Sequence, residues 1–431
     1  MLTSLQAIAE KARKLKGYRF QNLYGMLDVE GLMEAWKKIK KKAAPGVDGK
    51  TAAEYGENLE ENIQNTVEEL KGKRYKARLI RRTYIPKEKG KLRPLGILVV
   101  KDKVVQQAAA TILGAIFEQD FLECSYAYRP NRGAQQAVRD LTQELQFGGY
   151  KYIVEADIRG YFDNINHEQL MEMVEQRVDD QAMMRLIWKW LKAGILEADG
   201  KIIDPITGTI QGGVISPLLA NIYLHNVLDV WFESLKPLLL GKAYLCRYAD
   251  DFVCAFQNPT DAERFYRALG KRMGKYGLEV ATEKTRIIPF GQSTKQKGSS
   301  FEFLGIEFRW GVSRKGNAIV KRRTTRKKLR KSLLNFTAWC RKNRSKRLWK
   351  LFLELNSKLR GYYNYYGVIG NYPSLNQFYE QVRRILFKWL NRRSQRKSFT
   401  WEKFEGCWER YRAMKPRITE RYYQLKLNLS Y

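Results

Sequence analysis

The sequence predicts an α+β fold, helical at both ends with short antiparallel strands between, and three observations carry that expectation. Apolar residues recur at spacings of three and four near the N-terminus (Leu32, Met33, Trp36, Ile39) and again across residues 329–389. Short apolar and β-branched runs bounded by turn formers occupy the middle, at 79–100, 152–154, 244–256, 287–288 and 301–305. At 431 residues the chain exceeds the roughly 250–300 at which one hydrophobic core stops growing, so two or three domains are expected.

Taken in order, the N-terminal 75 residues read as helix, broken by the turn-rich Ala44-Pro45-Gly46-Val47-Asp48-Gly49. Leu79-Ile80 and Tyr84-Ile85 lead into a basic tip, Lys87-Glu88-Lys89-Gly90-Lys91, and Leu95 to Val100 leads out, which is the pattern of a hairpin. Residues 101–146 read as helix interrupted near Ser125 to Gly133, residues 152–154 as a strand, and His167 to about Ala193 as helix. Residues 217–234 form a further expected helix, with Ser216 as its N-cap and Pro217 in the first turn, where a missing N–H costs nothing. From Tyr244 to Phe256 two apolar runs flank Ala249-Asp250-Asp251, so the acids belong at a hairpin turn. Beyond residue 310 strand signals fade, and the stripes Leu329/Leu333/Phe336, Leu348/Leu351/Leu355/Leu359 and Phe378/Val382/Ile385/Trp389 predict a small helical bundle.

The formal charge is +34, and residues 311–431 hold 32 Lys/Arg against 6 Glu and no Asp. A folded chain with that field calls for polyanionic partners, and its C-terminal quarter is the electrostatic grip. Eight cations crowd the eleven positions Lys321 to Lys331, where like charges repel unless phosphates neutralise them. Five widely spaced cysteines with no Cys-x-x-Cys pair indicate neither a disulfide framework nor a zinc ribbon, and a reducing compartment fits. No run reaches the roughly 18 apolar residues of a membrane span, and the N-terminus lacks a signal-peptide core, so no membrane partner is expected.

The chemistry is concentrated in carboxylates. Asp157 ends one expected strand, and Asp250-Asp251 lie at a hairpin tip about ninety residues on. Nucleotidyl transfer needs little covalent help from protein, but it uses two divalent cations to activate a hydroxyl and neutralise a leaving pyrophosphate. A few hard carboxylate ligands suit Mg²⁺, which completes its shell with water and substrate phosphates. Singly, each Asp reads as an ordinary turn residue; their combination is the specific feature.

Tyr248-Ala249-Asp250-Asp251 resembles the YxDD box of reverse transcriptases, Asp157 to Asp163 resembles the first aspartate motif of the same palm, and Gln211 to Pro217 resembles the QGxxxSP motif between them. Residues 44–49 resemble the N-terminal extension motif of group II intron-encoded and related non-LTR enzymes. Tyr128 to Gly133 resembles a finger motif of that branch, Phe303-Leu304-Gly305 its last palm motif, and Leu359 to Tyr366 its maturase thumb. The resemblance spans roughly residues 30–395 and implies a right-hand polymerase. Its parts would be an N-terminal extension with the start of the fingers (1–75), fingers and palm (76–310), a helical thumb (311–395), and a basic region (396–431) too short for a full DNA-binding domain and expected at most as a reduced DNA-binding segment.

The resemblance also implies roles. Asp157, Asp250 and Asp251, with the Ile158 carbonyl, would hold two Mg²⁺ ions, Mn²⁺ being the substitute. Lys87, Arg93, Arg159, Gly160, Tyr161, Phe162 and Gln211 would bind the dNTP, with Phe162 under the sugar where a ribose 2′-OH would clash. Gly212, Gly213 and Lys284 would meet primer or template, and Arg322, Arg323, Arg326, Lys327 and Arg330 would grip RNA. Implied partners are an RNA template, the parent intron RNA, a DNA primer or target, and dNTPs, with the bacterial cytoplasm as the expected location in preference to an organelle. Tyr362, Tyr363, Tyr365 and Tyr366 read as bundle packing rather than base stacking.

The sequence departs from the family at Ile210, where Pro is usual, and at Ala281, where Asn is common. The two histidines, His167 and His225, stand far from any C-terminal nuclease motif and read as structural, so no HNH domain is expected. The implied function is RNA-directed DNA synthesis with a splicing role on the intron RNA. A maturase acting only as an RNA-binding splicing factor, and a domesticated relative serving host defence or repair, are the alternatives.

Overall fold

The structure, a computed structural model, describes residues 2–86, 92–283, 285–292, 299–393 and 398–420. Helices α1 (Leu2–Lys14), α2 (Val29–Lys38), α3 (Ala52–Glu57) and α4 (Leu59–Lys71) precede the hairpin β1 (Ile80–Pro86) and β2 (Leu92–Ile97). After α5 (Val100–Phe117) and α6 (Ala134–Phe147) come β3 (Tyr152–Arg159), α7 (His167–Glu175), α8 (Gln181–Leu191), β4 (Ile195–Leu196) and β5 (Ile202–Ile203). Then follow α9 (Ser216–Leu224), α10 (Val230–Leu235), β6 (Ala243–Tyr248), β7 (Asp251–Phe256), α11 (Pro259–Lys275), β8 (Glu279–Val280) and β9 (Arg286–Pro289). The last strands are β10 (Ser300–Phe303), β11 (Ile306–Val312) and β12 (Ala318–Thr324), ahead of α12 (Arg326–Asn343), α13 (Leu348–Tyr366), α14 (Tyr372–Leu390) and α15 (Trp401–Arg410). The expected α+β class is the observed one.

The chain forms two compact units that interleave in sequence. The first comprises Met1–Pro130, Ala156–Leu239 and Arg264–Thr285, and the second Asn131–Glu155, Leu240–Glu263 and Arg286–Tyr431. In the first unit α5 is buried nearly all round, through Val104, Val105, Ala109, Ile112, Leu113 and Ile116, because it packs against both α1 and α2. Arg177 anchors the end of α1, donating from Nη2 to the Ala12 carbonyl and from Nη1 to the Leu15 carbonyl, each at 2.9 Å. Those carbonyls are among the orphans that every helix C-terminus leaves. The turn at residues 44–49 docks by backbone: a Cβ on Gly46 would stand 2.6 Å from the Val99 nitrogen, and Arg81 donates to the Pro45 carbonyl at 2.6 Å. Only glycine fits so close an approach.

The first unit's four-stranded sheet has the order β2-β1-β4-β5. β1 runs antiparallel to β2, Pro86 opposite Leu92, and parallel to β4. The last half of β3 pairs antiparallel with β8, Ile158 opposite Val280.

In the second unit the first half of β3 pairs with β9, and the hairpin β6–β7 carries α6 on its face, with Cys246 Sγ directed at the Ala137 carbonyl. A second sheet has the order β10-β11-β12. Gln146 of α6 closes the edge of β12, donating to the Ala318 carbonyl at 3.0 Å and accepting from Val320 N at 2.8 Å. Helices α12 to α15 share one core, built on Phe336, Cys340, Leu355, Leu359, Phe378 and Val382. Tyr362 stacks on Phe378 at 3.7 Å within it and Tyr363 is fully buried, so both pack as expected.

Four local expectations give way. The helix expected over 167–193 is two, because Asp180 accepts from Ala182 N and Met183 N and so caps a new helix start. Ser216 is the first helical residue and is buried, with Ile215 at the cap, a displacement of one position. The strand β12 lies where only helix was expected, since Val320, Arg322 and Thr324 alternate inward and an inward arginine masks the apolar period. Helix α15 occupies part of the segment read as a short basic tail, capped by Thr400 and burying Phe404 and Trp408.

Candidate active site

The acidic hairpin is built from a strand pair that leaves almost nothing else exposed. Tyr248 lies opposite Asp251, so Ala249 and Asp250 form a two-residue loop. Such loops need positive φ, and Ala249 supplies it at +57°. Leu245, Cys246 and Phe252 to Phe256 are buried, while Asp250 and Asp251 stay partly open. Beneath the turn Arg247 is fully buried and donates from Nη1 to the Ala249 carbonyl at 3.2 Å. That support was missed in the sequence, where Arg247 passed as part of an apolar run; a cation inside a strand was the available signal.

Asp157 sits half-buried on the end of β3, in the first unit, between the buried Ala156 and Ile158. Its carbonyl accepts from Ala281 N at 2.8 Å, which fixes the strand end. Asp250 and Asp251 are thus neighbours on one turn, and Asp157 belongs to the other unit. Among the described residues no group of three or more His, Cys, Asp or Glu side chains is placed to hold a metal ion. The donors present are partly open carboxylates, a chemistry that fits a hard cation completed by water and phosphate oxygens.

The residues after Asp157 separate into exposed and internal ones. Arg159 is half-exposed and bridges Glu279 and Glu283, at 2.6 and 2.8 Å. Gly160, at φ +57°, opens the single turn Tyr161–Asp163. Tyr161 is buried and its hydroxyl donates to the Ala220 carbonyl at 2.5 Å, so its side chain is a packing element and the expectation of nucleotide contact is left to its backbone. Phe162 is half-buried, edge-on to Tyr161 at 5.3 Å, and its carbonyl accepts from Thr209 N at 2.7 Å. Gln211 reaches Asp163 at 3.4 Å. Asp163 and Gln211 line a cavity of about 470 Å³ together with Arg82, Tyr84, Ile206 and Thr207. Arg82 and Tyr84 both bind Glu197, a wall that the sequence did not reveal because the short β4 and β5 carry no clear pattern. Arg93 is exposed on β2, opposite Ile85. Lys87 and Lys284 lie outside the described residues.

Gly212 and Gly213 serve the protein's own packing. At φ +107° a Cβ on Gly212 would stand 2.7 Å from the Gly96 carbonyl, and one on Gly213 would stand 2.5 Å from Ser216 Oγ. The close contacts of these two glycines are with the backbone of β2 and with a side chain at the start of α9. His167 steadies the same loop: buried, it donates from Nε2 to the Gly208 carbonyl at 2.7 Å. Burial holds its pKa below the ordinary 6.5. A histidine with a depressed folded pKa loses stability as pH falls below about 6.5, where only the unfolded chain takes up the proton. The melting temperature should therefore fall between pH 7.5 and 5.5, and by less in His167→Gln; equal falls in the two proteins would contradict this.

The five cations expected to grip RNA split likewise. Arg322 is buried and paired with Glu420 at 3.0 Å, and Arg323 binds both oxygens of Glu307 at 2.6 and 2.8 Å. Arg322 is therefore withdrawn from the RNA-facing set, since its guanidinium balances an interior carboxylate. Arg326, Lys327 and Arg330 are exposed on α12, and Arg326 and Arg330 rim a cavity of about 660 Å³ floored by Leu329 and Leu333.

An α+β chain with an acidic two-residue hairpin and a basic helical bundle falls in the class of right-hand polymerase folds. The family of reverse transcriptases (RNA-dependent DNA polymerases) matches residues 85–308, and the group II intron maturase-specific domain matches residues 327–408. The group II intron-encoded protein LtrA of Lactococcus lactis subsp. cremoris is 30% identical over 404 residues, covering 74% of this chain and 65% of LtrA. Protein YkfC of Escherichia coli (strain K12) is 32% identical over 375 residues, 77% of this chain and 96% of that protein. Among solved structures, telomerase from Candida albicans overlays with a TM-score of 0.45 at 14% identity, over 79% of this chain and 64% of that one. The chain belongs to the reverse transcriptase family, in its group II intron-encoded branch with a maturase domain. It spans about two thirds of the length of LtrA. No described helix is long and apolar enough to cross a membrane.

Proposed function

We propose that the chain is an RNA-directed DNA polymerase that extends a primer 3′-OH with dNTPs on an RNA template, and that it also binds its intron RNA to assist splicing and mobility. The observation that carries this reading is the hairpin Tyr248–Asp251, two partly open carboxylates held on a rigid buried strand pair, in a chain of the reverse transcriptase family. Members of that family use divalent metal ions. Asp157, Asp250 and Asp251, with the Ile158 carbonyl, would hold two Mg²⁺ ions, which when bound activate the primer hydroxyl and neutralise charge on the leaving pyrophosphate. Arg247 keeps the acidic loop in shape. Phe162 would exclude a ribose 2′-OH, Gln211 would border the nucleotide, and the exposed Arg93 with Lys87 would meet its triphosphate, a role suited to a planar guanidinium fork and a point charge. Fingers and palm would occupy residues 76–310 and the thumb 311–395, and bacterial relatives support a cytoplasmic setting.

Primer extension on poly(rA) and on a structured RNA, with and without Mg²⁺, tests the polymerase; no extension with Mg²⁺ would overturn it. RNA binding should rest partly on α12. Changing Arg326, Lys327 and Arg330 together to Ala should reduce the slope of log affinity against log salt by about 2, at ~0.7 per lost single-strand phosphate contact. An unchanged slope would move those contacts elsewhere.

A further inference from the structure

The cations around β1 differ in whether the protein itself uses them. Arg81 donates to the Pro45 carbonyl and Arg82 to Glu197. Just ahead of that strand, the side chains of Arg74, Lys76 and Arg78 have no ion-pair or hydrogen-bond partner among the described residues. All three line one cavity of about 470 Å³ beside the end of α4, with Glu68 and Lys101. Lys101 is already paired with Glu69 on the same wall, which leaves three uncommitted cations against the one carboxylate of Glu68. Three like charges within five positions repel one another until an anion neutralises them.

The backbone that carries them is pinned from behind. Tyr75 is buried and Ala77 half-buried, so the exposed Arg74, Lys76 and Arg78 share the other side of the segment. The Glu69 carbonyl accepts from Arg74 N at 2.8 Å and Tyr75 N at 3.0 Å, which ties the start to α4. The Tyr75 hydroxyl donates to Asp102 at 2.6 Å and accepts from Trp190 Nε1 at 3.1 Å, while its carbonyl accepts from Lys189 at 2.8 Å. Arg78 N donates to the other oxygen of Asp102 at 2.9 Å. A carboxylate as buried as Asp102 persists only where hydrogen bonds hold it, and here those bonds fix the segment on which the cations stand. The backbone is ordered before any ligand arrives, which removes one cost of binding.

We propose that this cavity is an anion site that takes linked phosphate groups, those of a free nucleoside polyphosphate or of a nucleic-acid strand. Two guanidiniums offer planar forks to phosphate oxygens, and the ammonium between them is a point charge. The volume suits a nucleotide-sized ligand. Along the chain Arg74 and Arg78 stand up to about 13 Å apart, a span that a run of phosphates bridges and a single carboxylate does not. No lining residue is shared with the cavity of Asp163 and Gln211, so this is a second phosphate locus and does not rest on the polymerase reading.

Hydrogen exchange of the full chain, titrated with inorganic triphosphate at low salt without Mg²⁺, tests the site. Triphosphate should slow exchange over residues 74–78, and the concentration that half-protects this segment reads the affinity of this site alone. Arg74→Ala and Arg78→Ala should each raise that midpoint about tenfold, as for one lost charge-assisted hydrogen bond. Lys76→Gln should do the same and serves where an arginine variant lowers the melting temperature. Lys271→Ala, an equal loss of charge on exposed α11, should stay within about twofold. A single-stranded oligo(U) of roughly ten nucleotides separates the two sources of phosphate. Protection at a lower concentration than triphosphate assigns a strand, and protection by triphosphate alone assigns a free nucleotide; either supports the site. Exchange that neither ligand slows overturns it, as does an unchanged midpoint in Lys76→Gln or a Lys271→Ala shift as large as that of Arg78→Ala.

Discussion

Asp251→Asn is expected to lower DNA synthesis on a primed RNA template by about a thousandfold or more, equivalent to ~4 kcal/mol of transition-state stabilisation. The substitution keeps shape and hydrogen-bonding capacity and removes the charge that a hard cation requires. Asp251 begins β7 opposite Tyr248, on a strand whose next five residues are buried, so the surrounding hairpin has little freedom to supply a replacement ligand. RNA binding should be unaffected, because the cations proposed for it lie on α12. Primer extension and filter binding on the same preparations separate the two effects. Retained synthesis would remove Asp251 from the metal-holding set.

Phe162→Ala should reduce discrimination against rNTPs relative to dNTPs on the order of a hundredfold, the range available when a pocket distinguishes a single hydroxyl. The ring is well placed to act as a fixed wall. Its edge rests on Tyr161, itself pinned through its hydroxyl to Ala220, and its backbone is tied to Thr209. Competing incorporation of dATP and ATP opposite one template base reads the ratio directly. Unchanged selectivity would shift the steric gate to another side chain of the 207–211 loop.

Much of this was readable in the sequence, and the failures have physical causes. The acidic hairpin, the pairing of β1 with β2 and the three long bundle helices were legible because periodicity and turn chemistry agree there. Arg247 and Arg322 were not, since a buried cation looks like a surface one until its partner is placed, and Glu420 lies 98 residues from Arg322. Gly212 was expected at primer or template, and its approach to the Gly96 carbonyl depends on tertiary packing that no local pattern encodes. Burial narrows the expectation for Tyr161 to its backbone and withdraws Arg322 from the RNA-facing set for the same reason.

The pairing of Arg322 with Glu420 bears on how the second unit melts. Glu420 also accepts from Ile369 N, and Thr419 is bound to Gln135 and to the Tyr363 carbonyl, so the segment after α15 joins β12, α6 and α13. Detaching it would strand an interior guanidinium, a penalty large enough that local fraying there is not a low-energy event. The backbone amides of β12 and of residues 366–371 should accordingly exchange with solvent as one cooperative block, with protection set by the opening of the whole unit rather than by nearness to the chain's exposed surface.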